Sequence, residues 1–146
     1  MKFGHFFVIS HPIGLFNLIV YYYNVQRMQS KKDLSPIIIE AISDKKGKKI
    51  AVIDLSDIEA ASTGKLIICQ GNSTSQVSAI ADSVREALLD KERVKPYNYE
   101  GYRNSQWIVI DYGDIMVHVF LPEFRQFYNL EGLWNDAPIE YLPDID

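Results

Sequence analysis

Gly71-Asn72-Ser73 lies between a strand-length apolar run and a helical pattern, where backbone N–H groups and a helix dipole could hold a phosphate. Neither the GxGxxG fingerprint nor a P-loop ending in Gly-Lys-Ser or Gly-Lys-Thr is present, so ordinary helix capping is expected there. A nucleotidyltransferase would also put a Gly-Ser pair at such a helix, but it needs two or three carboxylates nearby on a strand to hold magnesium, and these are missing at that spacing. Asp111 and Asp114 could serve as a general acid and base. They bracket Tyr112-Gly113, however, and aspartates bond the backbone of tight turns, so turn chemistry and partner contact are the expected uses. His118, between Val117 and Val119 in mid-strand, reads as a hydrogen-bonded structural imidazole, and Cys69 in its apolar strand as a core residue. No serine sits in a nucleophile elbow. His5, His11 and His118 are too widely spaced for a zinc-type ligand set, and a single cysteine excludes an internal disulfide framework. No catalytic residue, metal ligand or cofactor is assigned.

The elements that would carry these residues follow from periodicity. From Ser35 the pattern is helical, with Pro36 in the first turn and Leu34, Ile37, Ile38, Ala41 and Ile42 on one face; Gly47 and its flanking lysines end it. Lys49 to Leu55 and Lys65 to Gln70 read as two buried strands, joined by SDIEAASTG with room for one helical turn. Ser73 and Gln76 have the spacing of a capping box, opening a long helix whose stripe is Val77, Ile80, Ala81, Val84, Ala87 and Leu88. VKPYNYEGYRNS reads as an extended crossing segment. QWIVIDYGDIMVHVFL reads as a hairpin turning at Asp111-Tyr112-Gly113-Asp114, with Trp107, Val109 and Asp111 on one face and Ile108 and Ile110 on the other. One or two short helices follow Pro122, and the tail DAPIEYLPDID is extended. The order predicts an α/β or α+β domain: a mixed sheet of about five strands with helices packed against it.

Composition limits the function classes. A chain of 146 residues, 47% hydrophobic and 23% charged, predicts one globular domain. The net charge of −4 argues against binding naked nucleic acid, which rests on many Lys and Arg, and favours a basic protein partner. The lone cysteine fits a reducing cytoplasm. Residues 1–27 are aromatic-rich and nearly uncharged, but His11, Pro12 and Asn17 break the apolar run that a signal or membrane anchor needs. They read as a mis-assigned or weakly ordered N-terminal extension, with the single domain spanning 28–146 and translation starting at Met28. Without Lys2 and Arg27 the net charge of −4 becomes −6.

Aromatic residues collect near turns and toward the C-terminus: Tyr97, Tyr99, Tyr102, Trp107, Tyr112, Tyr128 and Trp134. An aromatic content of 12% exceeds what one small core readily hides, and Trp and Tyr flanked by acids are typical interface anchors. An interaction surface is therefore the leading functional expectation.

Three stretches, GNSTSQVSAIADSVREAL, KPYNYEGYRNSQWIVIDYGDIMVHVF and EFRQFYNLEGLWNDAP, closely resemble the ribosomal silencing factor family RsfS, also called Iojap. The likeness runs from about Leu34 to Pro138, and its most specific string is Trp-x-x-x-Asp-Tyr-Gly-Asp-x-x-x-His-x-Phe. The resemblance implies a sheet akin to nucleotidyltransferases without their catalytic acids. It further implies a cytoplasmic translational repressor that binds the large ribosomal subunit through its basic ribosomal protein number fourteen. There it would block joining of the small subunit when nutrients are short. The net charge argues against free nucleic acid, residues 1–27 against a membrane, and the exposed aromatics leave a monomer or weak homodimer as the expectation. On the family pattern Glu100, Trp107, Asp111, Tyr112 and Asp114 form the docking surface, with Tyr128 and Trp134 second. The pattern departs at Gly64-Lys65, where the family commonly has an acidic-aromatic pair, so the charge there is reversed. The alternatives are a large-subunit assembly factor, a nucleotidyltransferase-like enzyme binding at Gly71 to Ser73, and a membrane-tethered adaptor relying on residues 1–27.

Overall fold

The computed structural model describes residues 32–145, so the expectation for residues 1–27 lies outside them. The elements are α1 (Ser35–Asp44), β1 (Lys48–Asp54), β2 (Lys65–Gln70), α2 (Thr74–Glu92), β3 (Asn98–Glu100), β4 (Trp107–Asp111), β5 (Ile115–Phe120), α3 (Pro122–Tyr128), α4 (Leu130–Leu133) and β6 (Ile139–Tyr141). They form an α+β fold on a mixed sheet of six strands in the order β3-β4-β5-β2-β1-β6. The β2/β5 pair is parallel and every other neighbour is antiparallel. Six strands replace the expected five or so, because the crossing segment and the tail each contribute a three-residue edge strand, β3 and β6. SDIEAASTG runs as turns and bends without a helical turn.

Each strand's pleat sends alternate residues to opposite faces, and the two faces carry separate apolar clusters. On the first, α1 and α2 cover Ile67 and Cys69 of β2, Ile108 and Ile110 of β4, and Val117 and Val119 of β5. Of the expected α2 stripe Val77, Ile80, Ala81, Val84 and Leu88 are buried, and Ala87 is half-buried at its margin. On the second face Ala51, Ile53, Leu66, Ile68 and Phe120 pack beneath Phe124 of α3, Leu130 of α4 and Trp134.

The junction between α1 and α2 is built by one glutamine. Ser73 caps α2, its Oγ accepting the Gln76 N–H at 3.1 Å. The return bond of the expected capping box goes one residue further back: Gln76 Oε1 accepts the Asn72 N–H at 2.7 Å rather than that of Ser73. Gln76 Nε2 then donates to the carbonyls of Lys45 and Lys46, each at 3.1 Å, satisfying acceptors just past the end of α1. Gly47 lies so close to Ile42 that a Cβ would collide with its side chain, which fixes the sharp exit from α1.

Three buried groups have chemistry beyond packing. Arg125, 8% exposed, donates through Nη1 to the Lys49 carbonyl at 2.6 Å and to Gln70 Oε1 at 3.2 Å. Its Nε and Nη2 fork onto the Glu131 carboxylate at 3.5 and 3.1 Å. The clamp holds α3 and α4 to β1 at the bulge where Lys49 takes a positive φ of 55°. Burial pushes the Cys69 thiol up to about 12, as suits a core residue. It pushes His118 down to about 4, so this imidazole, 6% exposed, is neutral.

Two outcomes follow. Gln76→Ala removes three bonds at the α1/α2 junction and should lower the unfolding free energy by about 1–2 kcal/mol without changing the denaturant slope, read by urea titration. His118 protonates near the model-peptide value of 6.5 when unfolded but only near 4 when folded. The unfolded state then binds the extra proton, so stability should be full above about pH 6.5 and fall as pH drops toward about 4, with a slope in His118→Gln smaller by up to one proton.

Candidate docking surface

The second sheet face is covered over β1, β2 and part of β5 but thins toward β4 and β3. Trp107, Val109 and Asp111 of β4 are only half-buried, while Ile108 and Ile110 on the other side are fully buried. Residues paired across neighbouring strands share a face. Glu100 pairs with Val109 and Asn98 with Asp111, while from β5 His118 pairs with Val109 and Met116 with Asp111. Trp107 and Asp111 share a face as the alternation predicts, and the register brings Glu100 to it as well, with Val109 and the half-buried Met116 between them.

At one end of this face is an aromatic stack. The Trp107 ring lies 5.0 Å from Phe120 at an interplanar angle of 20°, and 4.6 Å from Tyr128 at 39°. Tyr128 in turn meets Phe127 edge to face at 5.0 Å. The indole Nε1–H of Trp107 donates to His118 Nδ1 at 3.0 Å. A nitrogen that accepts must carry the lone pair, so the neutral imidazole holds its proton on Nε2.

At the other end is the hairpin turn. Asp111 accepts the Gly113 N–H at 2.7 Å, and Gly113 takes a φ of 85° with Tyr97 packed where a side chain would stand. Asp111 thus spends one carboxylate oxygen on the turn. Asp114 is exposed, and its carbonyl accepts the N–H groups of Gly64 and Lys65, each at 2.9 Å, so the charge-reversed loop is docked against this turn.

Two expected site residues are placed differently. Tyr112 is 7% exposed and packs in the cluster under α1 and α2, on the opposite side of the sheet. It continues the alternation of Ile108 and Ile110, so its ring serves the core and is not available to a partner. Its hydroxyl has no partner, and burial raises its pKa. Trp134 is half-buried against the second cluster, on which Trp107 also packs. Sequence reasoning missed Phe127 and Leu133, 79% and 67% exposed on α3 and α4. The available signal was a surplus: EFRQFYNLEGLW carries more apolar residues than helices of seven and four residues can turn inward.

At Gly71-Asn72-Ser73 the N–H groups of Asn72 and Gln76 are taken by Gln76 and Ser73 themselves, and a side chain at Gly71 would crowd Gln76. Among the described residues no three His, Cys, Asp or Glu are grouped to hold a metal ion, and no helix is long and apolar enough to cross a membrane.

A family model described as "Ribosomal silencing factor during starvation" matches residues 28–146. The chain is 36% identical over 116 residues to the ribosomal silencing factor RsfS of Halalkalibacterium halodurans, covering 80% of this chain and 97% of the relative. It is 36% identical over 117 residues to RsfS of Bacillus subtilis, covering 80% and 95%. A crystal structure of a protein from Chromobacterium violaceum has a TM-score of 0.66 and 37% identity, covering 70% of this chain and 83% of that one. Another, from Bacillus halodurans, has a TM-score of 0.64 and 34% identity, covering 75% and 97%. With these matches spanning the sheet, both helical layers and the hairpin, the chain belongs to the ribosomal silencing factor family, RsfS.

Proposed function

We propose that this chain is a cytoplasmic translational repressor that docks on the large ribosomal subunit through basic ribosomal protein number fourteen. It thereby excludes the small subunit when nutrients are short. The observation that carries this reading is the uncovered end of the second sheet face. There Trp107, stacked on Phe120 and tilted against Tyr128, stands on the same face as Glu100 and Asp111, with Asp114 at the turn.

The physics of such a surface fits a basic protein partner. A pre-stacked aromatic supplies a large apolar contact at low entropic cost, and truncating an anchor of this kind typically costs about 2 kcal/mol or more. Acids around it favour Lys and Arg on a partner and disfavour bare RNA, in keeping with the net charge of −4. Exclusion of one subunit by a protein seated on the other is steric, so it needs neither cofactor nor metal. Phe127, exposed and edge to face with Tyr128, extends the apolar part of the surface, and Leu133 is exposed on α4. Trp134 supports that part from beneath.

The test is sedimentation of purified large and small subunits with the full chain. The wild type should travel with large subunits and deplete the joined particle. Trp107→Ala should weaken binding by about thirtyfold, the equivalent of about 2 kcal/mol. Glu100→Lys, at an exposed position that folding does not need, should weaken it too, by an amount that shrinks with added salt. Wild type that ignores large subunits would contradict the reading. Tyr112→Phe should dock as wild type does. Removal of its unpartnered hydroxyl should leave stability unchanged or raise it by up to about 1 kcal/mol, read by urea titration.

A further inference from the structure

We propose that His118 is the positioning residue of the docking surface, holding the Trp107 indole in its docking orientation through the Nε1–H to Nδ1 hydrogen bond; this rests on the docking reading above.

His118 sits in mid-sheet, level with Ile68 of β2 on one side and Val109 of β4 on the other. The Phe120 ring is aligned at 14° with its centroid 6.2 Å away, and the Trp107 ring is 5.9 Å away. A polar ring in such surroundings costs desolvation energy, and a Leu or Phe of similar volume would pack there at lower cost. What the imidazole supplies and a hydrocarbon cannot is an acceptor at 3.0 Å for the indole N–H.

The bond decides between orientations of a side chain that stacking alone leaves open. Phe120 and Tyr128 fix the plane of the indole, but a stacked indole turned over within that plane would keep both ring contacts. Only one of the two orientations aims Nε1 at His118. Pinning it before docking removes a rotamer choice that a partner would otherwise have to freeze, and the gain shows mainly as slower release. The burial that keeps His118 neutral also keeps Nδ1 free to accept.

The experiment measures large-subunit affinity and the Trp107 indole N–H signal on the full chain, with Trp134 as the internal reference. His118→Phe should weaken docking by roughly five- to tenfold and shift the Trp107 N–H to faster exchange, leaving Trp134 unchanged. His118→Gln, whose amide oxygen can accept the same bond, should recover part of both. Trp107→Phe keeps an aromatic ring and removes the bond from the donor side, so adding His118→Phe to it should cost nothing more. If His118→Phe is poorly folded by circular dichroism, His118→Gln against Trp107→Phe carries the comparison. His118→Phe docking as tightly as wild type, or losses that add in the double variant, would overturn the positioning role. Wild type that fails to bind large subunits would instead overturn the docking reading, and with it any docking role for His118.

Discussion

The parallel pair of β2 and β5 at the centre of the sheet sets the constraint on which the rest depends. Strands in such a pair are buried on both sides and need both faces covered. Chain leaving the top of β2 goes to α2 on the first face, and chain leaving the top of β5 goes to α3 on the second. The two covers are unequal. At about 1.5 Å per residue, a helix of 19 residues reaches roughly 28 Å. Helices of seven and four residues reach about 10 and 6 Å. On the first face α1 and α2 together bury residues of β1, β2, β4 and β5, whereas the second is covered only over its central strands, so that β4 keeps a half-buried surface and β3 an exposed one.

That open end is rigid because its borders are fixed from both sides. The Arg125 fork onto Glu131, together with its bonds to Lys49 and Gln70, ties the short helices to the sheet and so sets where Tyr128 meets Trp107. A buried ion pair is a poor source of net stability, since its desolvation offsets its attraction. Its worth here is geometric: it keeps two helices, each too short to hold by its own packing, at one place on the sheet. At the other border Asp111 and Gly113 shape the turn that displays Asp114.

Much of this was legible in the sequence, for identifiable reasons. The hairpin alternates strictly around a glycine, and α2 announces itself by Ser73, Gln76 and a regular stripe. β3 and β6 were not legible, because Asn98–Glu100 and Ile139–Tyr141 are three-residue edges that exist by backbone pairing with one neighbour. The alternation that placed Trp107 and Asp111 on one face puts Tyr112 with Ile108 and Ile110 on the other; the family pattern counted it with the docking residues, and it lies within. Arg125 and Glu131 meet only once the chain has folded, with Lys49 76 residues away in sequence from Arg125. The family resemblance named the docking residues, but only the pairing register tells which of them share a face.

The claim that the uncovered β3–β4 end is the contact surface is tested most directly by placing a photo-crosslinking residue at Val109, and in a second protein at Glu86 on the outside of α2, each mixed with large subunits. The account predicts a crosslink from Val109 to a basic large-subunit protein and none from Glu86. A crosslink from Glu86, or one from Val109 to ribosomal RNA alone, would contradict it.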